Sequence, residues 1–150
     1  MRVDFFRLSE MDAALWQEVM ALRSDVFVLE QQCVYLDPDK EDTDAIHLLF
    51  RDEETITGYL RIIEKEDWHL GRIIVPQSHR GKGLGKELVT AGVNFCKQQA
   101  SQKDIVMSSQ VYLSDFYSSL GFAAKGRMYL EDGIPHIHMV FNEALKAAVD

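Results

Sequence analysis

The chain has 150 residues, 47% hydrophobic and 27% charged, with a formal net charge of −8 at pH 7. That length is most simply one domain, and no apolar run approaches the ~18 residues that a membrane span needs. The acidic balance argues against a broad nucleic-acid surface, where phosphate neutralisation supplies most of the affinity, while it accommodates cationic partners such as amines.

Two cysteines, Cys33 and Cys96, have neither motif spacing nor companions. No disulfide framework or metal site is expected, and free thiols fit an intracellular chain. The start, Met1 to Phe6, has no long apolar stretch and no small-residue cleavage site. It does not read as a signal peptide, so a cytoplasmic location is expected.

Val3 to Leu8 reads as a first strand. Ser9 is the expected N-cap of a helix running to about Glu30, with Asp12 three residues on. Leu15, Val19, Leu22 and Val26 put one apolar face on it. Gln31 to Asp44 carries Pro38, Asp37, Asp39, Glu41 and Asp42, and reads as an exposed, solvated loop. It lacks the glycine and terminal glutamate of a calcium loop. Ile46 to Phe50 and Thr55 to Ile63 read as a strand pair, and Trp68 to Val75 as the next strand. Lys86 to about Gln99 is a helix with Leu88, Val89, Gly92, Val93 and Cys96 as its buried stripe. Ile105 to Met107 is a short strand, and Leu113 to Leu120 a short helix ended by Gly121. Phe122 to Tyr129 and Pro135 to Phe141 form a hairpin around Asp132-Gly133, a dipeptide that tolerates positive φ at both positions. Asn142 caps a last turn through Ala148. The order β-α-β-β-β-α-β-α-β-β predicts an α/β chain with a mixed sheet and helices on its faces, one domain over residues 1–150.

One stretch organises this string: Arg80-Gly81-Lys82-Gly83-Leu84-Gly85, between a strand and a helix. Such a turn aims free backbone N–H groups and a helix dipole at a phosphate. The Walker A pattern fails, because Glu87 follows Lys86 where Ser or Thr should stand and Arg80 occupies the first glycine position. The dinucleotide fingerprint fails because Lys86 occupies its third glycine position. The stretch does fit [RQ]-x-x-G-x-[GA]. A plain turn that starts a helix is the alternative reading.

With Phe116-Tyr117-Ser118-Ser119-Leu120-Gly121-Phe122, 33 positions past Gly83, the resemblance becomes specific. The two segments resemble the acetyl-coenzyme A motif and the F-Y-x-x-x-G-F segment of the GCN5-related N-acetyltransferase (GNAT) family. Leu22 to Gln31 resembles the R-x-x-V-F-V-x-E-Q segment of its ElaA-like branch, and Glu131 to Ile137 that branch's E-D-G-I-P-H-I. Val111-Tyr112 departs from the pattern, where relatives often carry small or polar residues.

The resemblance implies the GNAT fold, a central mixed and mostly antiparallel β-sheet with helices on both faces. It implies an acetyltransferase that moves the acetyl group of acetyl-CoA directly to a primary amine, with no covalent enzyme intermediate. Coenzyme contacts fall on Ile73, Ile74, Val75, Arg80, Gly81, Lys82, Gly83, Leu84, Gly85, Lys86, Gln110, Phe116 and Tyr117. A backbone N–H at Ile74 or Val75 is the implied oxyanion donor, and Tyr117 the implied acid for the departing thiolate. The base is open among Glu30, His47, Glu64, His69 and His136, of which His136 lies in the matched hairpin. The acceptor, a small-molecule or peptide amine, is expected against Phe27, Glu30, Gln31 and His136. Plainer readings stand beside these: Tyr117 and Phe27 as core aromatics, and Glu30 as a solvated helix end. Two rival functions are a non-catalytic acyl-CoA binding or sensing module and a nucleotide-phosphate binder. A monomer or homodimer is expected, with Pro135 to Phe141 offering an exposed strand edge.

Overall fold

The computed structural model describes residues 1–145. The strands are β1 (Arg2–Arg7), β2 (Ile46–Asp52), β3 (Thr55–Glu64), β4 (Trp68–Ile74), β5 (Ile105–Gln110), β6 (Phe122–Glu131) and β7 (Ile134–Phe141). The α-helices are α1 (Ala13–Arg23), α2 (Leu84–Lys97) and α3 (Ser114–Ser119). They build one sheet in the order β1-β2-β3-β4-β5-β7-β6. Every neighbouring pair is antiparallel except β4 and β5. This is the mixed, mostly antiparallel sheet expected from the sequence.

Alternation along the strands feeds two apolar layers. Leu49, Tyr59 and Ile74 pack with Val19 of α1 and Val26. Leu48, Leu60 and Leu70 pack on the other face with Leu88 and Val93 of α2 and Tyr117 of α3. Each fully buried leucine contributes roughly 1.5–3 kcal/mol through removal from water. Gly92 lets α2 lie close to β3, since a Cβ there would stand 3.3 Å from both Leu60 methyls.

The parallel pair sets up the cleft. β4 and β5 pair at Trp68↔Ile105 and His69↔Val106 only. Beyond those rungs β4 runs on to Ile74 and β5 to Gln110, and the strands part. A second irregularity lies on the other side of β4. Arg61 pairs with Gly71 but Tyr59 pairs with Ile74, so β4 carries one extra residue, a bulge. Arg72, within it, has φ 50°.

Several expectations need correction. Asp12, not Ser9, caps α1, and its side chain accepts from the Leu15 N–H at 2.7 Å. Ser9 sits in a short 3-10 turn over Leu8–Glu10. The helix does reach Glu30, but from Ser24 it widens into a π-helix. The change falls directly after Arg23, whose guanidinium is pinned in the core. The strand 134–141 is not an edge, because it inserts between β5 and β6, and β6 takes the edge. Asn142 does cap the following turn, accepting from the Ala144 N–H at 3.0 Å. The rest of that predicted helix, 146–148, lies outside the described residues.

Candidate active site

The parted strands open a cleft with two lobes. One, about 490 Å³, is lined by the glycine loop together with Val26, Glu30, Ile74, Val75 and Phe116. The other, about 700 Å³, is lined by polar groups that include Tyr35, His69, Arg72, Ser108, Gln110 and His136. Phe27, Gln31, Ile73, Leu113 and Tyr117 line both lobes, so the lobes meet there.

The loop lobe is shaped for an anion. Gly81 and Gly83 both have φ 80°. A Cβ at either would meet nothing within 4 Å, so glycine is needed there for backbone conformation rather than for space. Gly83 is the N-cap of α2, and no side chain caps that terminus. The first N–H groups of a 14-residue helix are thus left for a ligand. Arg80, Lys82 and Lys86 add cationic charge along the same turn. This donor set fits the pyrophosphate that the sequence motif implies. Arg80 donates from Nε to the Val75 carbonyl at 2.8 Å and pairs with Glu30 at 2.9 Å. Glu30 therefore stands on the loop side of the cleft.

Where the lobes meet, Tyr117 is 7% exposed, with Phe116 and Phe122 edge-on to its ring. Burial pushes its phenol up to about 12, and the neighbouring Tyr112 adds to the shift. Among the described residues its hydroxyl has no hydrogen-bond partner. Gln110, at the end of β5, donates to the Gln31 side chain at 3.2 Å and bridges the π-helix to the sheet.

In the polar lobe, His136 is 7% exposed. Its Nδ1 donates to the Ile134 carbonyl at 2.7 Å. Nε2 then faces Glu131 at 3.3 Å. His69 also lines this lobe, and burial lowers its pKa. Two other base candidates lie elsewhere. His47 is fully buried on the α1 face, between the Tyr59 hydroxyl at 2.7 Å and the Asp42 carbonyl at 2.9 Å. Glu64 is at the far end of β3, bonded to Lys103 and Ser101.

The acidic segment is the largest departure from the sequence reading. Asp37 and Asp42 are 2% and 4% exposed, not solvated. Arg23 is buried between them, 2.7 Å from each carboxylate. Arg61 joins Asp39 and Asp42, and Arg72 joins Asp37 and Asp39. Burial works against the charge on Asp42, but hydrogen bonds from Arg23 and Arg61 outweigh it and hold its carboxyl below the usual range. The network was missed because the aspartates cluster in a polar stretch while their partners lie far off in the chain. A usable signal was present: Arg61 and Arg72 interrupt β-branched strands, and inward-facing arginines require carboxylates.

Residues 11–143 match the family profile described as acetyltransferase (GNAT) domain. A UPF0039 protein of Schizosaccharomyces pombe is 35% identical over 135 residues, 87% of this chain and 90% of that protein. Protein ElaA of Escherichia coli is 34% identical over 137 residues, again 87% and 90%. The crystal structure of Escherichia coli ElaA superposes with a TM-score of 0.89 at 32% identity, covering 95% of this chain and all of that one. An acyl-CoA N-acyltransferase from Pseudomonas aeruginosa gives 0.88 at 28% identity, covering 94% and 99%. With the profile spanning most of the chain and the relatives agreeing from end to end, this chain belongs to the GNAT acetyltransferase family, in its ElaA-like branch.

Proposed function

We propose that this chain, acting as one domain, transfers the acetyl group of acetyl-CoA directly to a primary amine. The observation that carries the reading is the two-lobed cleft: an uncapped, glycine-loop helix terminus on one side, a polar chamber on the other, and Tyr117 lining both. Acetyl-CoA supplies an activated thioester. The loop N–H groups with Arg80, Lys82 and Lys86 hold its pyrophosphate. A backbone N–H at Ile74 or Val75 receives the charge that develops on the carbonyl oxygen. The nitrogen–carbon bond forms as the carbon–sulfur bond breaks. His136 takes the proton from the amine, and Tyr117 gives its own to the departing thiolate.

The raised phenol pKa needs a matching thiol. Against an ordinary thiol near ~8.5 the transfer would run uphill by roughly 1.4 kcal/mol for each pKa unit. The phenol stays protonated at neutral pH, so Tyr117 has a proton to give.

Charge in the polar lobe favours a cationic acceptor. Arg61 and Arg72 are taken up by Asp37, Asp39 and Asp42, and Lys65 by Glu41. Glu131, which meets His136, and Asp132 remain at the hairpin tip as the excess.

The test is release of free thiol from acetyl-CoA across a panel of amines. Turnover is expected with at least one, and Tyr117→Phe is expected to lower kcat about 10²-fold or more with unchanged acetyl-CoA affinity. Unchanged turnover would take Tyr117 out of the mechanism. Acetyl-CoA binding with no turnover for any amine would favour a sensing module instead.

A further inference from the structure

We infer that Arg72 is a positioning residue: clamped by Asp37, it fixes the β4 bulge so that the N–H groups after it, at Ile74 and Val75, face the thioester. The inference rests on the acetyl-transfer reading above.

Arg72 is a non-glycine residue held at φ 50° inside a strand. Such backbone persists only where the surroundings over-determine it. Glycine is available next door at Gly71, yet the left-handed position is given to arginine. The side chain explains the choice. Arg72 Nε donates to Asp37 Oδ1 at 2.8 Å, and Nη2 donates to the Asp37 carbonyl at 3.1 Å and to Asp39 Oδ2 at 3.4 Å. Its guanidinium also lies 5.8 Å from the Tyr35 ring centroid. A planar fork fixed at several points dictates where its own Cα stands.

The anchor is rigid in turn. Asp37 is 2% exposed, and its other carboxylate oxygen accepts from Arg23 Nε at 2.7 Å. Arg23 is 0% exposed and also donates to the Asp37 carbonyl at 3.1 Å. The Tyr35 hydroxyl donates to Asp37 Oδ1 at 2.5 Å. Asp37 thus ties the end of α1 to the bulge. The next residue, Ile73, lines both lobes, and Ile74 and Val75 line the loop lobe. A shift at Arg72 is passed directly to the backbone that meets the acyl group.

The experiment uses the ¹⁵N-labelled full chain, titrated separately with acetyl-CoA and with CoA. Amide shifts at Gly81–Gly85 report the pyrophosphate. The difference between the two ligands at Ile73–Val75 reports the carbonyl. The wild type is expected to show both signals. Arg72→Gly keeps the backbone freedom without the fork, and Arg72→Gln keeps a polar side chain. Both are expected to lose the acetyl-specific difference at 73–75, to keep the loop shifts, and to bind acetyl-CoA within about threefold of wild type. With any amine that turns over, kcat falls about tenfold or more at constant acetyl-CoA KM, and Arg72→Lys recovers part of it. A persistent difference at 73–75 in either variant overturns the inference. So does a wild type that shows loop shifts but no acetyl-specific difference, which leaves coenzyme binding intact. Absence of loop shifts in the wild type sinks the acetyl-CoA reading itself, and the inference with it.

Discussion

Arg80 stands at the mouth of the loop lobe with its Nε on the Val75 carbonyl and its terminal nitrogens on the Glu30 carboxylate, at 2.9 and 3.1 Å. The first contact fixes the corner where β4 turns into the glycine loop. The second places a negative charge where a pyrophosphate would arrive. Both partners are partly exposed, at 41% and 38%, so the pair itself contributes at most about 1 kcal/mol. Repulsion between Glu30 and a phosphate a few ångströms away has similar size in high dielectric. Glu30→Gln removes both the competitor and the repulsion. It is expected to tighten acetyl-CoA binding about two- to fivefold in calorimetric titration at low salt. The gain should shrink at 1 M salt, where the screening length falls to about 3 Å. Weaker binding by the variant would show instead that Glu30 holds Arg80 ready for the ligand.

Between the π-helix and β2, the segment 35–43 behaves as a structural element in its own right. It has almost no apolar burial, and it holds its place through charge. Asp39 caps the 3-10 turn Lys40–Thr43, accepting from the Glu41 N–H at 3.0 Å. Asp37 receives Arg23, Arg72 and Tyr35. Removing one partner from a buried pair leaves its counter-charge uncompensated, at a cost of about 3–5 kcal/mol. Asp37→Ala should therefore lower Tm by on the order of 10 °C. Asp39→Ala, at a site 36% exposed on its side chain, should cost about 1 kcal/mol. Urea unfolding of the two variants measures the contrast, and equal losses would mean that Asp37 is not the anchor. The same segment marks the limit of what the chain discloses by itself. Apolar periodicity placed α2 and most strands, because Leu88, Val89, Val93 and Cys96 recur at helical spacing. The glycine loop was legible because its chemistry is local. Asp37 was not, because its meaning depends on Arg23 and Arg72, 14 and 35 positions away. Nor could chain order show that β7 slips between β5 and β6, since a hairpin reads the same with either strand outermost. Gly71 hinted at an irregularity in β4, but the left-handed position falls on Arg72, whose partner is the distant Asp37.

Across the molecule, the two apolar layers are ordinary, but the α1 layer encloses a polar thread that makes stability depend on pH. His47 is buried with Nε2 donating to the Asp42 carbonyl and Nδ1 accepting from the Tyr59 hydroxyl, which itself accepts from Arg23 at 3.3 Å. Burial lowers its pKa; the backbone bond to Asp42 opposes this, and Arg23 and Arg61 reinforce it. The folded chain therefore keeps His47 neutral at a pH where the unfolded chain, with a histidine pKa near ~6.5, has begun to take up a proton. Below that value the unfolded state binds more protons than the folded one, so stability falls as pH drops from about 6.5 toward the folded pKa. His69, also lowered by burial, contributes with the same sign. Asp42 acts lower down. Its carboxyl is held below the usual range, so its contribution is complete above about pH 4 and is lost as pH falls through the folded value. The expected profile is a plateau above about pH 7, a first decline that sets in below about 6.5, and a second below about 4. Urea midpoints at pH 8, 6.5, 5 and 3.5 measure it. His47→Gln offers a similar pair of hydrogen-bonding groups with no titration, so it should reduce the first decline to the part His69 contributes and leave the second in place. A wild-type midpoint that stays constant from pH 8 to 5 would show that the thread tolerates a protonated His47, and that the Tyr59 and Asp42 contacts do not fix its charge state.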